Sequence, residues 1–199
     1  SSNVETHLLG NHIFSNAKAL LFAGLFFKGK EADYWYQIGL NIINKELPEQ
    51  VLSDGGNFEL SPMYHAIFLE DLLDLVNIHQ VYNKRLATDI QSTILSMFGW
   101  LKTMCHPDGE ISFFNDSAIG IAQSLKELLE YGKRLNITCA NDSIDTLRWL
   151  KDSGYIRVQK ENLVSIIDVA NIGPDYIPGH GHADTLSFEL SLFGERVIV

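Results

Sequence analysis

The apolar residues of this chain change their spacing near residue 150. Before that point they recur at intervals of three and four, as Trp35, Ile38 and Ile42 do, which is the spacing of an amphipathic helix. After it, residues 185–192 alternate strictly between polar and apolar, which is the period of a half-buried β-strand. This order predicts an α+β chain, with antiparallel helices over residues 1–150 and an antiparallel sheet over residues 151–199.

Five helices and four strands are predicted within these two parts. Ser61 is a good N-cap residue, and Pro62 follows it at the first helical position, where proline fits best. The last strand extends to Val199, so we expect the sheet of this chain to be incomplete. The predicted helices cover residues 16–27, 32–46, 61–76, 85–104 and 117–134, and the predicted strands cover residues 155–158, 163–169, 185–192 and 196–199.

The formal net charge of the chain is −10. A nucleic-acid-binding surface needs clustered Lys and Arg, so we expect no nucleic-acid partner. The longest apolar run near the start, residues 19–27, is far shorter than the roughly 20 residues of a membrane-spanning helix, so we expect no membrane insertion. The two cysteines, Cys105 and Cys139, fit no metal or redox spacing and are expected to be thiols.

Two polar clusters precede predicted helices. Asn11 and His12 follow a glycine in a predicted loop, where they could form a site or merely a turn at the helix entry. Tyr64 lies in the first turn of the helix that Ser61 caps, where the positive end of the helix dipole should favour the phenolate over the phenol. The purely structural alternative is a buried Tyr64 with one hydrogen bond and a surface His65.

A third cluster contains two histidines in a Gly-rich segment before the strand at 185–192. His180 and His182 are separated by one residue, so in an extended backbone both rings would point to the same side. Such a pair can supply two ligands to one metal, or one ligand and one catalytic group. The alternative is that both histidines are structural.

Together these clusters resemble the heparinase II/III-like polysaccharide lyases, a family that includes heparan-sulfate and alginate lyases. The resemblance implies a helical (α/α) toroid followed by an antiparallel β-sandwich, and β-elimination on an acidic, uronic-acid-containing polysaccharide. It also implies a periplasmic or extracellular location in a bacterium. The matching motifs, in the family's order and at similar spacing, are Gly10-Asn11-His12, Glu59-x-Ser61-Pro62-x-Tyr64-His65 and Gly179-His180-Gly181-His182-Ala183-Asp184.

The resemblance implies a role for each matching residue. Asn11 and His180 would neutralise the substrate carboxylate, and Tyr64 would act as base and acid, with His12 as an alternative base. The chemistry needs no cofactor. His182 would be one ligand of a structural zinc in the full-length protein, whose remaining ligands would fall at or beyond the end of this chain. The residues that we assign to substrate binding are Glu59, His65 and Trp35.

Two other functions fit parts of the same sequence. A glycoside hydrolase on a helical toroid would use two carboxylates flanking the bond, for which Asp54, Glu59 and Glu110 are available. A non-catalytic carbohydrate-binding protein would use aromatic residues, although such residues at helical spacing are more often core. The candidate aromatics are Trp35, Tyr36, Trp100 and Trp149. The lyase is preferred because no carboxylate pair is as distinctive as the Asn, Tyr and His set. The acidic balance favours a non-sulfated or lightly sulfated polymer, and the sequence leaves the oligomeric state open.

Overall fold

The computed structural model describes residues 11–86, 90–139, 146–171 and 182–199. Within these residues, five helices precede a five-stranded antiparallel sheet whose strands are neighbours in chain order. The helices are α1 (Asn11–Phe26), α2 (Lys30–Gln50), α3 (Pro62–Val81), α4 (Ile90–Met104) and α5 (Leu125–Arg134). The strands are β1 (Leu147–Leu150), β2 (Tyr155–Lys160), β3 (Leu163–Asp168), β4 (Phe188–Leu192) and β5 (Glu195–Ile198). The predicted α+β class is therefore confirmed.

Helix α3 is the centre of the helical part. Its buried residues include Phe68, Leu69, Leu72 and Leu75, so apolar side chains occupy most of its circumference, as expected for a helix surrounded by others. It packs against α1, α4 and α5. The hydrophobic core of this part is built around it.

The predicted starts of three helices were wrong. Helix α4 was predicted from residue 85, but residues 85 and 86 lie outside it and it begins at Ile90. Helix α1 begins at Asn11, five residues before the predicted start, so Asn11 and His12 lie in its first turn and not in a loop. Helix α5 begins after Ser124, not at residue 117. The Ser124 side chain accepts a hydrogen bond from the Glu127 backbone, and the Glu127 carboxylate accepts one from the Ser124 backbone. This reciprocal capping box fixes the start of α5.

The sheet begins at Leu147, four residues before the predicted boundary, because β1 pairs along its whole length with β2. Strand β4 begins at Phe188, so the first residues of the predicted strand at 185–192 lie outside it. In β4 the buried side chains are Glu189 and Ser191, whereas Phe188 is 47% exposed. The face of this strand that meets the helices is therefore its polar one.

Polar contacts at the junction explain why the polar face of the sheet is buried. The ring of His106, which follows α4, lies 3.0 Å from the Glu189 carboxylate through Nε2 and 2.7 Å from the Ser191 hydroxyl through Nδ1. Glu189 also accepts a hydrogen bond from the Phe113 backbone. Buried polar groups are stable only when they have such partners, and here the partners come from the helical part.

The guanidinium of Arg157, on β2, is buried at the end of α4. It donates hydrogen bonds to the carbonyls of Thr103 (3.0 Å) and Cys105 (2.5 Å). The last carbonyls of a helix have no partner within the helix and carry partial negative charge, so a cation there stabilises the helix end. The sheet thus caps a helix of the neighbouring layer.

The two layers also share an apolar core. Trp100 and Met104 of α4 pack with Leu150, Tyr155 and Ile166 of the sheet in one buried cluster, which Leu60, Phe114, Val164 and Ala170 complete. Both cysteines are free thiols, as expected. Among the described residues, no helix is long and apolar enough to cross a membrane.

Asp168, at the end of β3, should lower stability at neutral pH. Burial raises the pKa of its carboxyl to about 6, so the folded state holds the proton more tightly than the unfolded chain. The stabilising effect of the proton is present below pH 4 and is lost as the pH rises through 6. We expect Asp168→Asn, which keeps an acceptor for the Ala170 N–H, to raise the free energy of unfolding at pH 7.5 by on the order of 1–2 kcal/mol. The gain should vanish near pH 4, as measured by urea denaturation.

Asp108→Asn is the matched control. Burial acts to raise the pKa of the Asp108 carboxyl, but the hydrogen bonds from Arg196 and the Glu110 N–H, together with the nearby positive charge of Arg196, outweigh it and lower this pKa. Asp108→Asn should therefore lower stability at pH 7.5, and its effect should fade as the pH falls. If Asp168→Asn destabilised the protein at pH 7.5 as Asp108→Asn does, the explanation given for Asp168 would be wrong.

Candidate functional site

Tyr64 lies in the first turn of α3, as predicted. The Ser61 hydroxyl accepts a hydrogen bond from the Tyr64 backbone N–H (3.4 Å), which confirms Ser61 as the N-cap and Pro62 as the first helical residue. Ser117 supports this end of the helix, because its hydroxyl accepts a hydrogen bond from the Met63 N–H (3.1 Å). The Tyr64 side chain is half-buried.

The acidity expected for Tyr64 was wrong. Burial, followed by the negative charges of Asp116 and Glu59, raises the pKa of the Tyr64 phenol above its ordinary value of 10. These effects oppose the helix dipole, which lowers the pKa of a phenol at a helix N-terminus. The prediction from the sequence took only the helix dipole into account. Tyr64 is therefore a phenol at neutral pH in this structure.

The turn before α3 is pressed closely against α4. Gly55 adopts a φ of +90°, and a Cβ added to it would lie 2.4 Å from the Ser96 carbonyl oxygen. A Cβ on Gly56 would lie 2.6 Å from the Trp100 indole nitrogen. Both positions therefore require glycine. The turn leads directly to the buried Glu59, whose negative charge contributes to the raised pKa of Tyr64.

His65 is a structural residue in this arrangement. Its ring is fully buried and stacks on Trp100, with ring centroids 4.3 Å apart. Nδ1 accepts a hydrogen bond from the Asn57 N–H (3.1 Å), so Nε2 donates to the Met97 carbonyl (3.0 Å). Burial lowers the pKa of His65 to about 3. Neither ring nitrogen is left for a substrate, in contrast to the substrate-binding role that we assigned to it, and the surface alternative is also wrong.

Helices α1 and α3 run parallel. Phe14 contacts Phe68, with ring centroids 4.2 Å apart, and four residues later Lys18 pairs with Asp71 (2.6 Å) and Asp74 (2.5 Å). Along this contact, the residue numbers of the two helices increase in the same direction. One helical turn before Phe14 is Asn11, and one turn before Phe68 is Tyr64. The first turns of the two helices therefore lie at the same end of the layer.

The remaining predicted residues are placed as follows. His12 is exposed in the first turn of α1, and only the backbone of Asn11 is described there. Trp35 is half-buried on α2 and packs edge-on against Phe27, with ring centroids 6.3 Å apart. His180 lies outside the described residues.

The segment that follows His180 is joined to the helical part. The backbone N–H of His182 donates to the Asn115 side-chain oxygen (3.1 Å), and the Asp184 carboxylate accepts a hydrogen bond from the Asn115 N–H. Sequence reasoning placed Asn115 only in a loop. Its φ of +57° is one that asparagine tolerates better than most residues, but nothing in the local sequence identified its partners.

The ring of His182 is exposed. The described part of the chain contains no group of three or more His, Cys, Asp or Glu residues that could hold a metal ion. These residues alone therefore do not supply the ligand set of the predicted zinc, and that site stays a prediction.

The residues of the two rival functions have structural partners. Asp54 accepts hydrogen bonds from the backbone N–H groups of Asp152 (2.9 Å) and Ser153 (2.8 Å), so it joins the turn before α3 to the turn after β1. Trp100 is 1% exposed and belongs to the core. Trp149 is exposed on β1, in the sheet.

Comparisons with known proteins agree with this arrangement. The family model for the heparinase II/III N-terminus matches residues 3–144, and the model for the heparinase II/III-like C-terminal region matches residues 145–199. The chain belongs to the heparinase II/III family. The border between the two matched regions falls just before β1, where the sheet begins.

Two curated relatives are heparin-sulfate lyases. The one from Bacteroides stercoris is 33% identical over 124 residues, covering 61% of this chain and 18% of that protein. The one from Pedobacter heparinus is 31% identical over 117 residues, covering 55% of this chain and 17% of that protein. The matched stretch therefore spans less than a fifth of either relative.

Solved structures share the fold. A heparinase III superposes with a TM-score of 0.80 at 20% identity, over 94% of this chain and 34% of that chain. A heparan sulfate lyase from Pedobacter heparinus superposes with a TM-score of 0.72 at 23% identity, over 94% of this chain and 32% of that chain. The helical layer and the sheet that follows it are thus arranged as in these proteins.

The structural role of His65 predicts a change in stability. We expect His65→Gln to lower the free energy of unfolding by about 1–3 kcal/mol at pH 8, because buried partners of the ring lose their hydrogen bonds. In the wild type, the lowered pKa means that stability is present above pH 6.5 and is lost as the pH falls towards 3. His65→Gln should flatten this part of the stability profile, measured by denaturation from pH 8 to pH 4. The exposed His12→Gln variant should change neither quantity, and an unchanged slope in His65→Gln would contradict the assignment.

Proposed function

We propose that this protein is a polysaccharide lyase that cleaves an acidic, uronic-acid-containing polysaccharide by β-elimination. The parallel packing of α1 and α3 is the observation that carries the proposal. It puts the helix turn that contains Asn11 and His12 at the same end as the turn that contains Tyr64. Family membership and relatives that are named heparin-sulfate lyases support the same activity.

The reaction needs groups that neutralise a carboxylate. The proton on C5 of a uronic acid is weakly acidic, because its removal adds negative charge next to a group that is already charged. Hydrogen-bond donors that bind this charge best in the transition state lower the barrier. We assign this role to Asn11, whose amide donates without carrying a charge, and to His180.

The reaction also needs a group that moves protons. With its raised pKa, Tyr64 rests as a phenol, the form that can donate a proton to the leaving oxygen on C4. Tyr64 acts as the base at C5 only after it has lost its own proton: the phenolate takes the C5 proton and passes it to the leaving oxygen on C4, which restores the phenolate. Where His12 is the alternative base, the resting phenol of Tyr64 donates to the leaving oxygen, and the proton taken up by His12 then returns to Tyr64. Such proton transfers typically contribute ~10²–10⁴-fold each. Glu59 is buried, and its negative charge contributes to the raised pKa of Tyr64. We propose that Glu59 influences the reaction through this effect on the Tyr64 pKa.

Several properties of the whole protein belong to this proposal. The net charge of −10 favours a non-sulfated or lightly sulfated uronate polymer, because few cations are available to neutralise sulfate groups. We propose a periplasmic or extracellular location, where such polymers occur. His182 is the one described residue that we propose as a ligand of a structural zinc; that ion would stabilise the fold without entering the chemistry.

Tyr64→Phe should abolish turnover and leave the fold intact, because phenylalanine keeps the ring and removes the proton-transferring hydroxyl. The measurement is the ultraviolet absorbance of the C4–C5 double bond, with the whole protein and a panel of alginate, heparan sulfate, hyaluronan, chondroitin and bacterial exopolysaccharides. Tyr34→Phe, on the exposed surface of α2, is the control and should keep full activity. Residual activity above about a tenth in Tyr64→Phe would remove Tyr64 from its role. New reducing ends without absorbance would identify a hydrolase instead.

Asn11→Ala should lower kcat by about 10²-fold, the usual effect of removing one donor to a developing negative charge. The melting temperature should change little, since the substitution is at the first residue of α1. Asn44→Ala, at an exposed position of α2, is the matched control for loss of an asparagine side chain. An Asn11→Ala rate equal to that of the control would exclude Asn11 from the site.

A further inference from the structure

We propose that Asn115 is a positioning residue, which holds the segment 182–184 of the sheet part in register with the end of α3 that contains Tyr64. This inference rests on the proposed lyase function. Asn115 is in the loop between α4 and α5, is 8% exposed and belongs to none of the motifs found in the sequence. Its four hydrogen bonds connect three distant parts of the chain.

One pair of bonds fixes the chain before α3. The Asn115 side-chain amide donates to the Leu60 carbonyl (2.9 Å) and to the Tyr155 hydroxyl (3.2 Å), and that hydroxyl in turn donates to the same carbonyl (2.7 Å). Leu60 adopts a φ of +60° immediately before the N-cap of α3. Tyr155 is fully buried on β2. The start of the Tyr64 helix is therefore fixed to the sheet through this triangle.

The other pair of bonds fixes the segment after His180. The Asn115 side-chain oxygen accepts a hydrogen bond from the His182 N–H, and the Asn115 N–H donates to the Asp184 carboxylate. Both are bonds to the chain just beyond the residue that we assign to the substrate carboxylate. The Asn115 amide nitrogen thus donates to the chain before α3, and the amide oxygen accepts from the segment 182–184.

The geometry leaves little freedom at this position. Asn115 has a φ of +57°, where most side chains are strained. Its bonds to Leu60 and Tyr155 are made in a buried setting, where water does not readily replace them. Asp116, the next residue, is one of the carboxylates that raise the pKa of Tyr64. The loop therefore contributes both the Asn115 hydrogen bonds and a negative charge that acts on Tyr64. A displacement of about 1 Å between reacting groups can reduce a rate by about 10²-fold.

Asn115→Gly isolates the side chain, because glycine accepts the positive φ and removes only the three side-chain bonds. We expect kcat to fall by about 10- to 100-fold, while KM changes by less than about threefold. Ser153→Ala is the matched control. It removes two hydrogen bonds, from Trp100 Nε1 to the Ser153 hydroxyl (2.8 Å) and from that hydroxyl to the Asp54 carboxylate (2.9 Å). These bonds also join the helical part to the sheet, but neither of them involves residues 182–184. Ser153→Ala should lower the melting temperature comparably and keep the wild-type kcat.

The Asp184 contact gives an independent test. Asp184→Ala removes the acceptor for the Asn115 N–H and should lower kcat, whereas Asp184→Asn keeps an acceptor oxygen and should restore most of it. Amide hydrogen exchange in peptides covering residues 182–186 of the whole protein should be faster in Asn115→Gly than in Ser153→Ala.

The outcomes separate the two proposals. If the wild type is active but Asn115→Gly retains the kcat of Ser153→Ala, the positioning role is overturned and the lyase function stands. Equal exchange rates in the two variants overturn the positioning role whatever the activity. If the wild type forms no unsaturated product from any polymer, the proposed function fails, and the role of Asn115 in it fails with it.

Discussion

Buried polar contacts between the helices and the sheet determine which face of the sheet is covered. His106 and Arg157 carry them: His106 lies between the Glu189 carboxylate and the Ser191 hydroxyl, and Arg157 donates to the carbonyls at the end of α4. These groups would be costly to bury alone, so each requires its partner in the other layer. The interface is therefore specific as well as apolar, and the layers meet in one register.

The position of the sheet relative to the helices determines the shape of the proposed site. Tyr64 and the segment 182–184 are more than 110 residues apart in the sequence, and they belong to different layers. Asn115 and Tyr155 connect them through the Leu60 carbonyl, so the end of α3 and the segment after His180 are fixed to the same small group of atoms. Hydrogen bonds have a defined direction, which apolar packing does not provide, so these bonds fix the position of the segment relative to the end of α3.

The charges around Tyr64 have a chemical consequence. Burial, together with the negative charges of Asp116 and Glu59, raises the pKa of Tyr64 and favours the phenol, although its place in the first turn of a helix would by itself favour the phenolate. The site is acidic, and the proposed substrate carries a carboxylate of its own. Donors that carry no negative charge, such as the Asn11 amide, are therefore the groups best suited to bind the substrate there.

Local sequence patterns were sufficient to predict the class of the fold, most of its helices and the N-cap of α3. These features depend on residues within one or two turns of each other, as Ser61, Pro62 and Tyr64 are. The motif order also identified the family. Even the true start of α5 is visible locally, in the Ser124 and Glu127 pair, although the apolar pattern before it led the prediction to residue 117.

Four features could not be predicted from local patterns, because they depend on how the layers pack: the burial of His65, the raised pKa of Tyr64, the polar inner face of β4 and the partners of Asn115. Each depends on groups that lie far away in the sequence, such as Met97 for His65 and His106 for Glu189. The alternation of β4 predicted two faces correctly, but its apolar face is the more exposed one here. Hydropathy describes what a side chain prefers on average, whereas the partner that covers it is set by how the layers meet.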